Sequence, residues 1–287
     1  MKKETALSKN LDPWVKLKQF TSARIGIGRS GVAVPTAELL AFQMAHAQAR
    51  DAVLTKIDFK KIISFLKKEK ISTIELDSAC SHRENYLTRP DLGRILSENS
   101  KTKIKTNAKI NSKSKVSPSI SLIVVDGLSS AAIEKNIIPL FKILIPELRK
   151  RKFNIAPIAL VKNGRVAIGD EISFVQKTDI CLVLIGERPG LSSPDSLGVY
   201  MTYKTKPKTT DERRNCISNI REGGMNYPLA TTKILYLIEE SLRKKISGVN
   251  LKDNAIASEE FEKITTDAHG WVCDGHFELR YTIGFGT

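Results

Sequence analysis

The sequence predicts an α/β protein with a Rossmann-like, doubly wound, mostly parallel sheet preceded by a helical N-terminal region. Continuous apolar runs at residues 120–125, 155–161 and 180–186 are typical of strands that are covered on both faces. Helical patterns separate these runs, and strand–helix–strand alternation with short loops indicates a parallel sheet. The chain has 287 residues, of which 41% are hydrophobic, so a substantial core can form.

The first block, residues 1–98, is the predicted helical region. After Pro35, the stretch 36–49 contains mostly strong helix formers. Residues 57–70 place apolar side chains on one helical face and lysines on the other. A third helix is predicted to start after Pro90. These helices lack a long apolar seam of their own and therefore need another layer to pack on.

The second block, residues 119–253, is the predicted Rossmann-like domain. A helix is expected around residues 133–144, bent or interrupted at Pro139, and a shorter helix before the third strand. The sequence "VYMTY" is a candidate fourth strand. A last helix is predicted over residues 226–246, with its end at Gly248.

Two further segments complete the predicted organisation. Residues 99–118 are predicted to be a basic flexible linker, because six lysines and no acid lie between Lys101 and Lys115, among Thr, Asn and Ser. Residues 254–287 are an atypical C-terminal tail, and its pattern indicates no role.

Composition and charge limit the classes of function and the kinds of partner that the chain can have. The net charge of +15 leaves a nucleic-acid partner open, but aromatic residues make up only 6% and do not alternate with the basic runs. Four widely spaced cysteines indicate reduced thiols rather than a disulfide framework. The chain has no apolar run near the roughly 20 residues of a membrane span, and its basic start has no apolar core like that of a secretory signal. We expect a cytosolic protein without a membrane partner.

Three catalytic or binding motifs are weighed and disfavoured. Gly26, Gly28 and Gly31 formally match G-x-G-x-x-G, but no convincing strand precedes them and the following helix is delayed. The tail sequence "HGWVCDGH" has zinc-like spacings, although a fourth ligand is needed and side chains that never converge are the favoured interpretation. There is no G-x-S-x-G elbow for a nucleophile. No catalytic residue and no metal site are predicted.

Polar residues follow each predicted strand at the edge where open α/β sheets bind ligands. These residues are Asp126-Gly127, Gly164-Arg165-Val166 and Gly186-Glu187-Arg188. An acid at Glu187, where a buried strand leaves the core, suggests a ligand. From the residues alone, a capping ion pair for Glu187 and core packing for Val166 stay open.

Five separated blocks, in order, carry a specific resemblance over roughly residues 14–253. They read "FTSARIGIGRSGVAVPTAELLAFQMAHAQARDAV", "VDGLSSAAI", "GRVAIGDEI", "LIGERPGLSSPDSLGVY" and "RNCISNIREGG". Together they are similar to the small subunit of ethanolamine ammonia-lyase. The tail and the lysine-rich linker depart from that pattern without touching the five blocks.

The resemblance implies an adenosylcobalamin-dependent radical lyase that converts ethanolamine to acetaldehyde and ammonia. It implies a large TIM-barrel partner subunit in a hetero-oligomer, with the cofactor between the two chains. The cobalamin contacts of the family fall on Val166 in "GRVAIGDE", Glu187 in "GERPG" and Cys216 in "RNCISN". Residues 119–253 are accordingly expected to be the cobalamin-binding domain, and this chain to be inactive alone.

Two finer expectations also rest on the resemblance. The chain lacks the D-x-H-x-x-G motif that replaces the cofactor's own base, since Asp267-Ala268-His269 has no later glycine in register, so a base-on cofactor is expected. Localisation in the bacterial cytoplasm, inside an ethanolamine-utilisation microcompartment, is expected from the N-terminal stretch. The alternative is a basic α/β protein that binds nucleic acid through its lysine-rich segments.

Overall fold

The computed structural model describes residues 14–21, 23–110 and 118–253. The helices are α1 (Trp14–Leu17), α2 (Thr36–Leu54), α3 (Lys60–Lys68), α4 (Arg83–Thr88), α5 (Glu98–Ile110), α6 (Ser130–Lys150), α7 (Ile168–Gln176) and α8 (Tyr227–Lys244). The strands are β1 (Thr73–Asp77), β2 (Ser119–Val125), β3 (Asn154–Ile155), β4 (Ile158–Lys162), β5 (Ile180–Gly186), β6 (Leu197–Tyr203) and β7 (Asn215–Ile220). None of the helices in the described ranges is long and apolar enough to cross a membrane.

The seven strands form one sheet in the order β1-β4-β2-β5-β6-β7, with β3 paired to β2. The pairs β1–β4, β4–β2, β2–β3 and β2–β5 are parallel. Strands β6 and β7 add an antiparallel extension beside β5. The predicted α/β class and mostly parallel sheet are therefore confirmed.

Helices cover both faces of the sheet. Alternate side chains of β2 point to opposite faces, so Leu122 and Val124 pack in a cluster with α3, α6 and α8. Ile123 and Val125 pack in a second cluster with side chains of α5 and α7. This arrangement confirms the doubly wound prediction and leaves the parallel strands buried on both sides.

Local chemistry fixes the long helices. Ser129 caps α6, because its Oγ accepts a hydrogen bond of 3.2 Å from the Ala132 amide. Of the predicted bend or interruption at Pro139, the interruption is wrong, because α6 continues through Pro139 and Pro146. Eight apolar side chains of α6 are fully buried. Their packing outweighs the loss of the backbone hydrogen bonds that the two prolines cannot donate. Asn226 caps α8 in the same way as Ser129 caps α6, through the Leu229 amide at 2.9 Å.

The N-terminal region is helical as predicted, but it also supplies the edge strand β1. The alternation of Thr73, Glu75 and Asp77 with apolar neighbours suits a strand at the sheet edge. In place of the third helix after Pro90 there is a single 3-10 turn, Leu92–Arg94. The apolar side chains there are too few to bury a longer helical face.

The linker region also differs from its prediction. Helix α5 begins at Glu98 and occupies the first part of the segment 99–118. The buried side chain of Ile104 anchors α5 against the sheet, and Ser97 accepts a hydrogen bond from the Ser100 amide at its start. The domain boundaries stay predictions. The tail with its zinc-like spacing and Asp267-Ala268-His269 lies outside the described residues.

Candidate functional site

Strand β7, together with the part of β6 around Tyr200, presents one face that is partly open to solvent. Their apolar side chains, such as Val199 and Ile217, point to the face that α8 covers. The opposite face carries Gly198, Tyr200, Cys216 and Ser218, which we call the open face. Cys216 and Ser218 are exposed there and Tyr200 is half-buried. A flat group can therefore approach the side chains of Tyr200, Cys216 and Ser218.

Glu187 lies at the edge of the open face, directly after β5. Its Oε2 accepts hydrogen bonds from Ser196 Oγ at 2.5 Å and from the Asn219 amide at 3.2 Å. Its Oε1 accepts a bond of 2.6 Å from Ser218 Oγ. Ser196 directly precedes β6, and Ser218 and Asn219 belong to β7, so the carboxylate holds the end of β5 to both antiparallel strands. The sequence left open a capping ion pair for Glu187. In the structure its carboxylate accepts hydrogen bonds from two hydroxyl groups and one backbone amide, all of them neutral.

Gly198 makes room for this carboxylate. A Cβ atom at position 198 would lie 2.7 Å from Glu187 Oε1 and 3.0 Å from its Cγ. Any other side chain here would push Glu187 away from Ser218. The glycine therefore sets the position of the acid on the open face.

Cys216 pairs with Tyr200 across β6 and β7, beside Glu187. Partial desolvation raises the pKa of the Cys216 thiol; a hydrogen bond from Tyr200 opposes this shift and the Glu187 charge adds to it. Burial likewise raises the pKa of Tyr200 above its ordinary value. Both groups are therefore neutral at physiological pH, and Cys216 is a soft, uncharged surface rather than a reactive thiolate.

Val166 follows β4 and is half-buried against the same hydrophobic cluster as Tyr200. The turn that carries it is held by Asp126, which ends β2. Asp126 Oδ2 accepts from the Asn163 amide at 2.9 Å, and Oδ1 from the Gly164 amide at 3.3 Å. Burial raises the pKa of Asp126 to about 6, although these amides and Arg83 favour the charged form.

Arg83 and Tyr86 of α4 brace this turn from the N-terminal region, and Arg165 of the turn itself contacts the same tyrosine ring. Arg83 Nη1 lies 3.4 Å from Asp126 Oδ2, and its guanidinium stacks 4.6 Å from the ring centre of Tyr86. Arg165 Cζ lies 4.2 Å from the centre of the same fully buried ring, and its Nη2 donates to the Tyr86 carbonyl at 3.0 Å. The turn before Val166 is therefore fixed from α4 as well as from β2.

A buried ion pair joins the Val166 side of the site to the Cys216 side. Arg214 donates to both carboxylate oxygens of Asp170 in α7, at 2.7 Å each. The two side chains are 4% and 5% exposed. Because Arg214 directly precedes β7, this pair fixes the strand that carries Cys216 relative to the helix that follows Val166.

The structure therefore brings the three predicted residues to one side of the sheet. Sequence reasoning missed the groups that position them: Gly198, Tyr200, Ser196, Ser218, Asp170 and Arg214. A signal existed for Arg214, since it stands next to the predicted Cys216 block, but its partner is 44 residues away. Among the described residues, no group of three or more His, Cys, Asp or Glu side chains is arranged to hold a metal ion.

A family profile described as ethanolamine ammonia-lyase light chain (EutC) matches residues 11–252 of this chain. The chain belongs to this family. The resemblance predicted from the five sequence blocks is confirmed, and the blocks with Val166, Glu187 and Cys216 lie within the match. A light chain, or small subunit, by name implies a larger partner subunit.

Curated relatives agree with this assignment. The ethanolamine ammonia-lyase small subunit of Pseudomonas putida (strain W619) is 44% identical over 244 residues, which cover 85% of this chain and 89% of that protein. The small subunit of Pseudomonas fluorescens (strain SBW25) is 43% identical, with coverage of 85% and 87%. That of Azotobacter vinelandii (strain DJ / ATCC BAA-1303) is 43% identical, with coverage of 85% and 89%.

Proposed function

We propose that this chain is the small subunit of an adenosylcobalamin-dependent ethanolamine ammonia-lyase, which converts ethanolamine to acetaldehyde and ammonia only together with a large TIM-barrel subunit. The observation that carries the proposal is the open face beside Glu187, in a chain that belongs to the light-chain family. In this proposal the cofactor lies between the two subunits, and Val166, Glu187 and Cys216 contact it. No catalytic residue is assigned to this chain.

The residues on the open face fit a large, flat, amide-bearing ring. Cys216 and Ser218 on β7 are small, exposed and neutral, and Tyr200 beside them on β6 is half-buried. A planar group that covers this patch buries no unpaired charge as long as its own donors pair with the Glu187 carboxylate at the rim. Cobalamin has amide arms around its ring, and Glu187 is the acidic acceptor at the rim of the face.

Each residue then has a distinct part. When bound, adenosylcobalamin supplies radical chemistry through its cobalt–carbon bond. Glu187 accepts hydrogen bonds from amide arms, each worth roughly 1.5–3 kcal/mol for a charged acceptor. Val166 gives an apolar or backbone contact, and the neutral Cys216 thiol permits close approach without ligating cobalt. The bonds from Ser196, Ser218 and the Asn219 amide keep the Glu187 carboxylate oriented before the ligand arrives.

Reconstitution tests the function. The full chain is co-expressed with a large subunit from the same genome, adenosylcobalamin is added, and acetaldehyde formed from ethanolamine is measured. We expect activity that disappears when this chain is omitted. A folded complex that neither binds cobalamin nor forms acetaldehyde would refute the proposed function. Strongly salt-dependent binding of the chain to nucleic acid, without cobalamin binding, would favour the alternative basic binding protein.

The role of Glu187 is tested with a matched pair of variants. Glu187→Gln removes the charged acceptor, and we expect cobalamin to bind the complex about ten- to a hundredfold more weakly. Glu239→Gln makes the same chemical change at an exposed position of α8, which packs on the face of the sheet opposite the open face. This variant should leave the Kd for cobalamin unchanged. Equal affinity of the Glu187 variant and the wild-type complex would remove Glu187 from the site.

The coordination state and the location of the enzyme are separate parts of the proposal. A base-on cofactor predicts that the paramagnetic resonance spectrum of the cobalt(II) form shows dimethylbenzimidazole nitrogen on cobalt. A histidine nitrogen from the protein would contradict it.

For location in a bacterial microcompartment, deletion of residues 1–20 should reduce encapsulation. Unchanged encapsulation would mean that this stretch does not direct it.

A further inference from the structure

The N-terminal segment 14–54, which we call the arm, concentrates the exposed apolar surface of the described residues. Ten of the fifteen large hydrophobic side chains that are exposed there belong to the arm. They are Trp14, Leu17, Phe20, Val32, Val34, Leu39, Leu40, Phe42, Met44 and Leu54. An exposed apolar surface of this extent marks an interaction site.

Helix α2, the main element of the arm, is not stabilised by the core of the chain. Of its 19 residues only Ala45 and Ala52 are buried. Its exposed apolar side chains include Leu40 and Met44, one turn apart on one face, and Phe42 on the opposite side of the helix. Helices in proteins gain most of their stability from packing, and a helix that is apolar on several sides is typically enclosed. The arm therefore has the composition of an enclosed element.

The arm is nevertheless a defined shape. Trp14 packs directly on Gly26, where the backbone has φ +53° and a Cβ atom would lie 2.4 Å from Trp14 Cγ. Lys18 Nζ lies 3.7 Å from Glu38 Oε1, which joins the chain before α2 to the first turn of that helix. Arg24 Cζ lies 5.8 Å from the centre of the Phe42 ring. A preformed apolar surface loses little conformational entropy when a partner covers it.

The arm ends at the edge of the sheet where the proposed cofactor site begins. The Val53 carbonyl accepts a hydrogen bond of 2.8 Å from Arg83 Nε. The same arginine pairs with Asp126, whose carboxylate holds the turn before Val166. A chain that lies on the end of the arm is therefore close to the carboxyl edge of the strands.

We infer that the arm is the docking surface for the large subunit of the enzyme, an inference that rests on the proposed function. The family match begins at residue 11 and so includes the arm, although the arm contributes only two buried residues of α2 to this fold. The cofactor needs a second chain at the carboxyl edge, where the arm ends. A large subunit with an apolar groove for α2 covers the arm and also supplies the second chain at the carboxyl edge. A second copy of the small subunit covers the arm only.

The test compares two substitutions of exposed apolar residues by an acid. Leu40 and Met44 are 58% and 62% exposed and lie one helical turn apart, so Leu40→Glu with Met44→Glu spares the internal contacts and keeps good helix formers. Val249→Glu makes the same kind of change at a 72% exposed site outside the arm. Binding of each full-length variant to tagged large subunit is measured without cobalamin or ethanolamine. We expect the double variant to bind about a hundredfold more weakly and the Val249 variant to bind like wild type.

A second measurement does not depend on variants that fold. Amide hydrogen exchange over residues 36–54 is recorded for wild-type chain alone and in the complex, and we expect strong protection on binding. Wild-type affinity of the double variant, or unchanged exchange in the complex, would overturn the inference. The inference would also be overturned if the wild-type chain formed a dimer, and the double variant were monomeric but still bound the large subunit. If the wild-type chain itself fails to bind the large subunit, the proposed function fails as well, and the two failures are thereby distinguished.

Discussion

The parallel half of the sheet and the edge strand β7 of its antiparallel extension differ in how many faces they bury. All seven residues of β5 are buried, whereas β7 buries only Ile217 and Ile220. Helices lie on both faces of the parallel strands, and β7 keeps its other face open. The comparison teaches that one sheet can serve two purposes: the enclosed strands fix the positions of the turns, and the edge strand leaves small side chains available to a ligand.

The two halves are joined by polar contacts rather than by the core alone. Asp170 and Arg214 connect α7 to the start of β7, and Glu187 connects the end of β5 to Ser218. The first contact is buried and the second is at the rim of the open face. Changes in these contacts and in each half should therefore have effects of different sizes.

The largest effect is expected at the joint. Asp170→Ala leaves the Arg214 charge buried without its bidentate partner, which should lower the free energy of unfolding by about 3–5 kcal/mol. Urea unfolding of the isolated chain measures it. Asp211→Ala is the control, because Asp211 contacts the same arginine at 3.0 Å but its side chain is 79% exposed, and it should cost at most about 1 kcal/mol. Equal losses would mean that the buried pair does not join the halves.

The next contrast compares the two halves directly. Leu184→Ala in β5 empties a fully buried position and should cost about 2–5 kcal/mol. Cys216→Ala on the open face should change the free energy of unfolding by no more than about 0.5 kcal/mol, since the side chain is exposed. Thermal or urea unfolding checks both. A large loss for the Cys216 variant would show that the open face is part of the core.

Asp126 predicts a pH dependence of comparable size. Its pKa of about 6 in the folded chain lies above the unfolded value, so the folded state binds more protons between about pH 4 and pH 6. The contribution of Asp126 to the free energy of unfolding should therefore fall by about 3 kcal/mol as the pH rises through this window. Asp126→Asn removes the titration. Unfolding profiles of variant and wild type that stay parallel from pH 4 to pH 7 would contradict this assignment.

A smaller effect on stability is expected at Gly198. In Gly198→Ala the new methyl group displaces the Glu187 carboxylate from Ser218, which should cost about 1 kcal/mol. If Glu187 binds the cofactor, cobalamin affinity of the complex should fall about tenfold. Gly223→Ala, in the exposed turn after β7, is the matched control. Unchanged cobalamin affinity in the Gly198 variant would show that cobalamin binding does not depend on the position of Glu187.

The same contrast explains what could be predicted from the sequence. Strands β2, β4 and β5 are continuous apolar runs because both faces are covered, and they were predicted. Strand β1 was not, because an edge strand alternates polar and apolar residues. Strand β7 was not, because only Ile217 and Ile220 face the core. Helix α5 falls in the predicted linker because, among its described side chains, only Ile104 belongs to the hydrophobic core.

At the site, the sequence predicted where acids leave the strands but not what holds them. Glu187 follows an apolar run and was found from that position alone. Its donors Ser218 and the Asn219 amide are 31 and 32 residues further along the chain, and no local pattern connects them. The pair of Asp170 with Arg214 and the stacking of Arg83 and Arg165 on Tyr86 likewise depend on strand order. Such contacts become visible only in the folded chain.

Protection of Cys216 tests most directly whether the open face carries the cofactor. Among the described cysteines Cys80 and Cys181 are buried, so a Cys273→Ser background makes Cys216 the reporter thiol on this part of the chain. Its alkylation rate is measured in the assembled complex with and without adenosylcobalamin. We predict that saturating cofactor slows alkylation about tenfold or more, because a group lying on the open face covers the thiol. An unchanged rate in a complex that has bound cobalamin would place the cofactor elsewhere.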